Sequence, residues 1–226
     1  MNGKLYGVSV GPGDPELITI KALNRIKTSD IIFAPGKSKE NSKAYNIARK
    51  AYNDIDEKKI EIIDWPMTRD RDILNSCYID CADKICKYLR SGLDVSFLTI
   101  GDISIYSTFI YIKNIVEEKG YECNMIAGVP SFCAAASSMG TELVTKDEKL
   151  YILPATNDLQ DDLRKVSACK VIMKPSALGD VKKLLKDGNF KDVSLIVNAG
   201  TQDEEIYKNI SEFPDKIPYL SLIIVK

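Results

Sequence analysis

The feature that most constrains this chain is an alternation that begins with its first residues. Short apolar runs of strand length take turns with segments whose apolar residues recur at helical spacing. Residues 4–10 form a β-rich run, residues 15–28 carry Leu17, Ile18, Ile20, Leu23 and Ile26 at helical spacing, and residues 30–34 form a second apolar strand. Residues 42–52 then read as helix, 60–63 as strand, 72–89 as a long helix, and 95–100 as a strand that runs directly into a glycine. Such alternation predicts a parallel sheet with helices packed on it. The second half continues with strands at 122–126, 149–153, 170–173, 194–198 and 220–225 and helices near 131–138, 159–166 and 178–186. A charged helix ending in a glycine stop at Lys119-Gly120 marks the expected boundary. The expectation is two α/β domains, residues 1–119 with a parallel sheet and residues 120–226 with a mixed sheet, packed closely around a ligand cleft because no long Pro/Gly/Ser linker separates them.

Composition removes several classes of function. A formal net charge of −1 gives no electrostatic footprint for nucleic acid or an anionic membrane. No apolar stretch is long enough to span a bilayer and the first residues do not form a signal peptide, so a cytoplasmic protein is expected. There is no histidine, which excludes serine–histidine and cysteine–histidine nucleophiles, histidine-ligated zinc and an imidazole base. The six cysteines are expected as free thiols. Cys77, Cys81 and Cys86 fall in the long helix, where Cys77 and Cys81 share a face and Cys86 lies roughly opposite, so one ion cannot gather all three unless the helix breaks. No protein-bound metal is expected.

Chemistry concentrates in three loops. Gly11-Pro12-Gly13-Asp14-Pro15-Glu16 follows the first strand and opens a helix, the place where open α/β sheets bind ligands. It is not a dinucleotide fingerprint, because Glu16 stands where the third glycine would be and Ala34 where the ribose-binding acid would be. Asp14 reads as an N-cap and Pro15 as a first helical residue. With Glu16, Asp14 also disfavours an anion at the helix start, so a ligand without phosphate fits better. The second loop, Ile100-Gly101-Asp102-Ile103-Ser104-Ile105-Tyr106-Ser107-Thr108-Phe109, either is a plain turn in which Asp102 caps the next helix, or lets a ligand approach the glycine while Asp102 meets a cation or hydroxyl. The third, Ala127-Gly128-Val129-Pro130-Ser131-Phe132, turns a strand into a helix of small residues.

Taken together, Gly11-Pro12-Gly13-Asp14, Gly101-Asp102 with Tyr106-Ser107-Thr108-Phe109, and Gly128-Val129-Pro130-Ser131-Phe132, in this order and spacing, resemble the tetrapyrrole methylase family. The Tyr-Ser-Thr-Phe run and Ser131-Phe132-Cys133-Ala134-Ala135-Ala136 are similar to the branch acting on carbon 20 of precorrin-2 or cobalt-factor II. Leu153-Pro154-Ala155, Val171-Ile172-Met173-Lys174 and Ala199-Gly200-Thr201 extend the likeness along nearly the whole chain. Ile103 and Ala127 replace prolines usual in the family, which implies a looser loop. Ala34 replaces an acid found in relatives that methylate uroporphyrinogen.

The resemblance implies a kidney-shaped pair of α/β domains, usually dimeric, with S-adenosylmethionine as methyl donor and a tetrapyrrole as substrate. That donor carries a sulfonium, an ammonium and hydroxyls but no phosphate, as the loops require. By position, the donor would be held by Pro12, Ile100, Gly101, Asp102, Ile105, Pro130, Ser131, Met173 and Gly200, largely through backbone. Asp14, Tyr106 and Lys174 are candidates for the substrate, and Arg69 and Arg71 with Lys174 for its carboxylates. No side chain is singled out as a catalytic acid or base. The alternatives are another tetrapyrrole or diphthine methylase of this fold, or a non-catalytic binder of donor or tetrapyrrole.

Overall fold

Strands β1 (Leu5–Ser9), β2 (Ile31–Pro35), β3 (Lys59–Ile63), β4 (Val95–Thr99) and β5 (Cys123–Ile126) form one sheet in the order β3-β2-β4-β1-β5. Every pairing in it is parallel. Because successive side chains of a strand point to opposite faces, the apolar runs of β1, β2 and β4 feed two cores. Val8, Ile32, Ala34 and Leu98 pack with α1 (Ile20–Thr28) and α2 (Lys43–Ala51), while Leu5, Phe33, Val95 and Phe97 pack with α3 (Arg71–Arg90) and α4 (Phe109–Glu118). The helix starts follow from local chemistry: Thr19, Ser42 and Asp70 each accept backbone N–H groups of the first turn of α1, α2 and α3.

The computed structural model describes residues 1–68, 70–165, 167–190 and 192–226. These divide into two units, Met1–Pro130 and Ser131–Lys226. The second holds α5 (Ser131–Met139), α6 (Leu159–Lys165) and α7 (Val181–Asp187) with strands β6 (Leu150–Pro154), β7 (Cys169–Met173), β8 (Val193–Val197), β9 (Glu205–Tyr207) and β10 (Ser221–Val225). Its sheet runs β6-β7-β10-β8-β9 and is mixed, with β6 and β7 parallel and β10 antiparallel to both neighbours. Among the described residues no helix is long and apolar enough to cross a membrane.

Several expectations need correction. The division falls after Pro130 rather than at Lys119-Gly120, because β5 hydrogen-bonds to β1 and completes the first sheet. The helix expected over residues 15–28 is broken: Asp14 caps a single 3-10 turn (Pro15–Leu17), the chain extends at Ile18, and Thr19 starts α1 afresh. Ile20, expected on the apolar face, is 78% exposed at the start of α1. The helix carrying the cysteines is unbroken over Arg71–Arg90, so Cys81 and Cys86 stay about 140° apart around its axis. Both are buried in the core under α3, at the two margins of a stripe that includes Ala82, Ile85 and Leu89. Strand β9 was not expected at all. Val166, expected at the end of the sixth helix, lies outside the described residues.

Candidate functional site

Strand β4 lies between β2 and β1. The chain leaving β4 goes to α4 on one face, whereas the chain leaving β1 goes to α1 on the other. Adjacent strands whose loops part to opposite faces leave a crevice at their carboxyl ends, where α/β sheets take ligands. Gly11–Gly13 and Gly101–Asp102 occupy that point, and the loop after β5 lies beside them on the far side of β1.

The three loops are tied to one another. Val10 donates to the Thr99 carbonyl (2.9 Å) and Gly101 to the Gly11 carbonyl (2.7 Å), which makes Gly11 and Gly101 an isolated antiparallel bridge. Both glycines have left-handed φ, 77° and 72°, a conformation that disfavours any side chain. Gly128 is required for space instead, since a Cβ there would lie 2.4 Å from the Ser9 Cβ and 2.6 Å from the Gly101 carbonyl oxygen.

Asp102 is 8% exposed. Its Oδ1 accepts from the Ser104 N–H (2.8 Å) and hydroxyl (2.5 Å), and its Oδ2 accepts from the Gly128 N–H (2.7 Å). Burial pushes its pKa up, but the three hydrogen bonds outweigh burial and hold the carboxyl below its ordinary value. Asp102 therefore does not cap the following helix; at the start of α4 it is the Ser107 hydroxyl that accepts the Phe109 N–H (3.2 Å). Ile103 in place of proline brings contacts of its own to the loop. The Ile103 N–H, which proline lacks, donates to the Ser9 hydroxyl (2.9 Å). Its buried side chain fills the space above Gly7, where an added Cβ would meet Ile103 Cδ1 at 2.3 Å.

Of the other candidates in the first unit, Pro12 and Gly13 are buried, and Ile100, Ile105 and Pro130 are half-buried at the same carboxyl ends. Asp14 spends Oδ1 on the Glu16 N–H (2.8 Å). Tyr106 is 45% exposed and holds φ of 49°, a strained setting for a residue with a Cβ. Arg71 is exposed at the start of α3, and Arg69 lies outside the described residues. In the second unit Ser131 opens α5, and Met173 ends β7 with its carbonyl accepting from Ala155 (3.1 Å). Gly200 follows β8, its N–H bonded to Glu204 Oε2 (2.6 Å). Lys174 takes a left-handed conformation (φ 55°, ψ 49°) just before Pro175. Although the residue is exposed, desolvation lowers the pKa of its ammonium. Among the described residues no cluster of three or more Cys, Asp or Glu could hold a metal ion.

Sequence reasoning missed Ser9. Its signal was a hydroxyl at the end of an otherwise apolar buried strand, since a fully buried polar group has to find a partner.

Comparison with known proteins accords with this architecture. The tetrapyrrole (corrin/porphyrin) methylases match residues 4–214. A probable cobalt-precorrin-2 C(20)-methyltransferase of Methanocaldococcus jannaschii is 36% identical over 99% of this chain and 96% of its own length. The cobalt-precorrin-2 C(20)-methyltransferase of Salmonella typhimurium is 26% identical over 100% of this chain and 97% of its own. Among solved structures, a uroporphyrin-III C-methyltransferase from Thermus thermophilus complexed with S-adenyl homocysteine has the same fold, with a TM-score of 0.71 at 16% identity, covering 99% of this chain and 98% of that one. With two sheets of the expected kinds, the glycine loops at the strand ends and a match along nearly its whole length, this chain belongs to the tetrapyrrole (corrin/porphyrin) methylase family.

Proposed function

We propose that the protein is an S-adenosylmethionine-dependent methyltransferase that acts on carbon 20 of precorrin-2 or cobalt-factor II in cobalamin biosynthesis. The observation that carries the choice of substrate is the full-length similarity to a relative named for that reaction. The loops support the choice of donor. Glycine backbone dominates them, Gly128 leaves no room for a Cβ, and the carboxylates of Asp14 and Glu16 flank the first loop, so a cationic ligand without phosphate fits the chemistry present.

The donor supplies a methyl group already activated on a sulfonium, and the chain's own residues bind and orient it. In the first unit the contacts are assigned to Pro12, Ile100, Gly101, Ile105 and Pro130, with Asp102 as their acidic neighbour; in the second they are assigned to Ser131, Met173 and Gly200. No histidine is present and the Asp102 carboxylate already accepts three protein hydrogen bonds. The rate is therefore assigned to alignment of the methyl with an electron-rich ring carbon, whose proton leaves to water. Asp14, Tyr106 and Lys174 are assigned to the substrate, Lys174 and Arg71 as cations for its carboxylates. The strained backbone of Tyr106 and Lys174 supports this, because such strain collects at ligand sites. The same reading carries a homodimer in the cytoplasm and no resident metal.

The test is incubation of purified protein with methyl-labelled donor and either metal-free or cobalt-containing dihydrosirohydrochlorin. The expected outcome is one label on carbon 20 and one equivalent of S-adenosylhomocysteine. Donor binding without transfer to either ring would identify a binder instead of an enzyme, and transfer to a different carbon would assign another step.

A further inference from the structure

We infer that Ser9 and Asp102 are positioning residues, which bind the loops after β1, β4 and β5 into one rigid cradle and act on the methyl donor through the backbone they hold. The inference rests on the proposed donor site and adds to it a residue, Ser9, and a role for Asp102 distinct from direct contact.

Three of the roughly four acceptor sites of the Asp102 carboxylate are already taken by protein donors. A carboxylate in water is free to meet a ligand cation, but Asp102 has both oxygens engaged by the Ser104 N–H and hydroxyl and by the Gly128 N–H, at 2.5 to 2.8 Å. Hydrogen bonds to a charged acceptor are the strong ones, so the Gly128 amide is fixed to the loop after β4. Ser9 completes the tie from below. It is wholly buried at the end of β1, its Oγ accepts from the Ile103 N–H (2.9 Å), and its Cβ closes the space beneath Gly128. The Gly11–Gly101 bridge adds the third side. Thus one hydroxyl and one carboxylate link three loops that leave the sheet separately, and the backbone groups between them are held in place before any ligand arrives. Preorganisation of this kind lowers the ordering cost of binding.

Ser9 makes the inference testable, because a side chain with no exposed surface beneath the loops cannot itself touch the donor. The variants are Asp102→Asn, Ser9→Ala and Ser104→Ala. The probes are S-adenosylhomocysteine and 5′-methylthioadenosine, which lacks the amino-acid portion, both titrated by calorimetry into folded protein. Amide hydrogen exchange at Ile103 and Gly128 is measured in the absence of ligand. Asp102→Asn is expected to weaken both probes by about ten- to a hundredfold and Ser9→Ala by about three- to tenfold. The losses in the double variant should be less than additive, because both residues secure the same loops. Exchange at the two amides should rise, and the loss should fall more heavily on donor affinity than on kcat at saturating donor.

If Asp102→Asn weakens only S-adenosylhomocysteine, the carboxylate touches the donor ammonium and the inference is overturned. A large effect of Asp102→Asn on both probes with none from Ser9→Ala points to a ribose contact and overturns it equally. Should Asp102→Asn fail to fold, Ser9→Ala and Ser104→Ala carry the test, and unchanged affinity in both refutes it. If the wild type binds neither probe, the donor assignment fails. The clasp then stands or falls on exchange at Gly128, which Ser104→Ala and Ser9→Ala should still accelerate.

Discussion

Replacing Gly128 by alanine isolates a close backbone approach at the carboxyl ends of the strands. The added Cβ would lie 2.4 Å from the Ser9 Cβ and 2.6 Å from the Gly101 carbonyl oxygen, against ordinary contacts of about 3.5–4.0 Å between carbons. Neither neighbour can yield easily. Ser9 is fully buried and paired with Thr99 across β1 and β4, and the Gly101 N–H is anchored on Gly11. Gly128 itself must retreat by roughly 1 Å to regain contact distance, which breaks its 2.7 Å bond to Asp102. Overpacking costs about 1–3 kcal/mol and a hydrogen bond to a charged group about 1.5–3 kcal/mol. Losing the bond relieves part of the clash, so the two do not add fully and we expect a loss of about 3 kcal/mol. Urea unfolding followed by the fluorescence of the single tryptophan, Trp65, reports on the first unit. Gly120→Ala is the control: Gly120 has φ of 85° and open space around it, so it carries only the left-handed backbone cost of about 1–2 kcal/mol. A Gly128→Ala variant within about 0.5 kcal/mol of wild type, the range of an ordinary surface change, would refute the reasoning from close packing.

Ile103→Pro removes the N–H that Ser9 accepts and the side chain above Gly7, and should cost about 2–4 kcal/mol in the same unfolding assay; equal stability would show that neither contact matters. Thiol labelling of native protein at neutral pH should reach Cys133 and Cys77 and spare Cys81, Cys86 and Cys169, which are buried. Burial also pushes the Cys81 and Cys123 thiols up to about 12, so Cys123 should react slowly although it is half-exposed; mass spectrometry of the labelled peptides checks this. The Asp102 pKa is lowered by folding, so its contribution to stability is complete above the ordinary aspartate pKa of about 3.9 and is lost as pH falls through the lower native value. The stability gap between wild type and Asp102→Asn should accordingly be constant from pH 5 to 7 and narrow toward pH 3, and a gap that instead widens on acidification would contradict the assignment.

Local pattern was enough for the element types, because a buried parallel strand must be an apolar run and an amphipathic helix must repeat near 3.6 residues. The three glycine loops were legible for the same kind of reason: strand-to-helix turns that need positive φ or close approach tolerate little else. The chain boundary was not legible. Lys119-Gly120 is a true helix stop, and Gly120 has the left-handed φ such a stop uses, but the end of a helix does not say whose sheet the next strand joins. Pairing of β5 with β1 decided that, through hydrogen bonds between residues far apart in sequence. Strand β9 was hidden because its three residues carry no periodicity, and it exists only as a partner for β8. Asp102 shows the same division most clearly. The sequence established an acid after a glycine at a strand end, and with it the choice between a cap and a ligand contact. Only the fold brought the Gly128 amide to 2.7 Å from one carboxylate oxygen and put Ser9 beneath Ile103. A carboxylate is shared among whichever donors the tertiary structure delivers, and those donors come from strands that are neighbours in the sheet and distant along the chain.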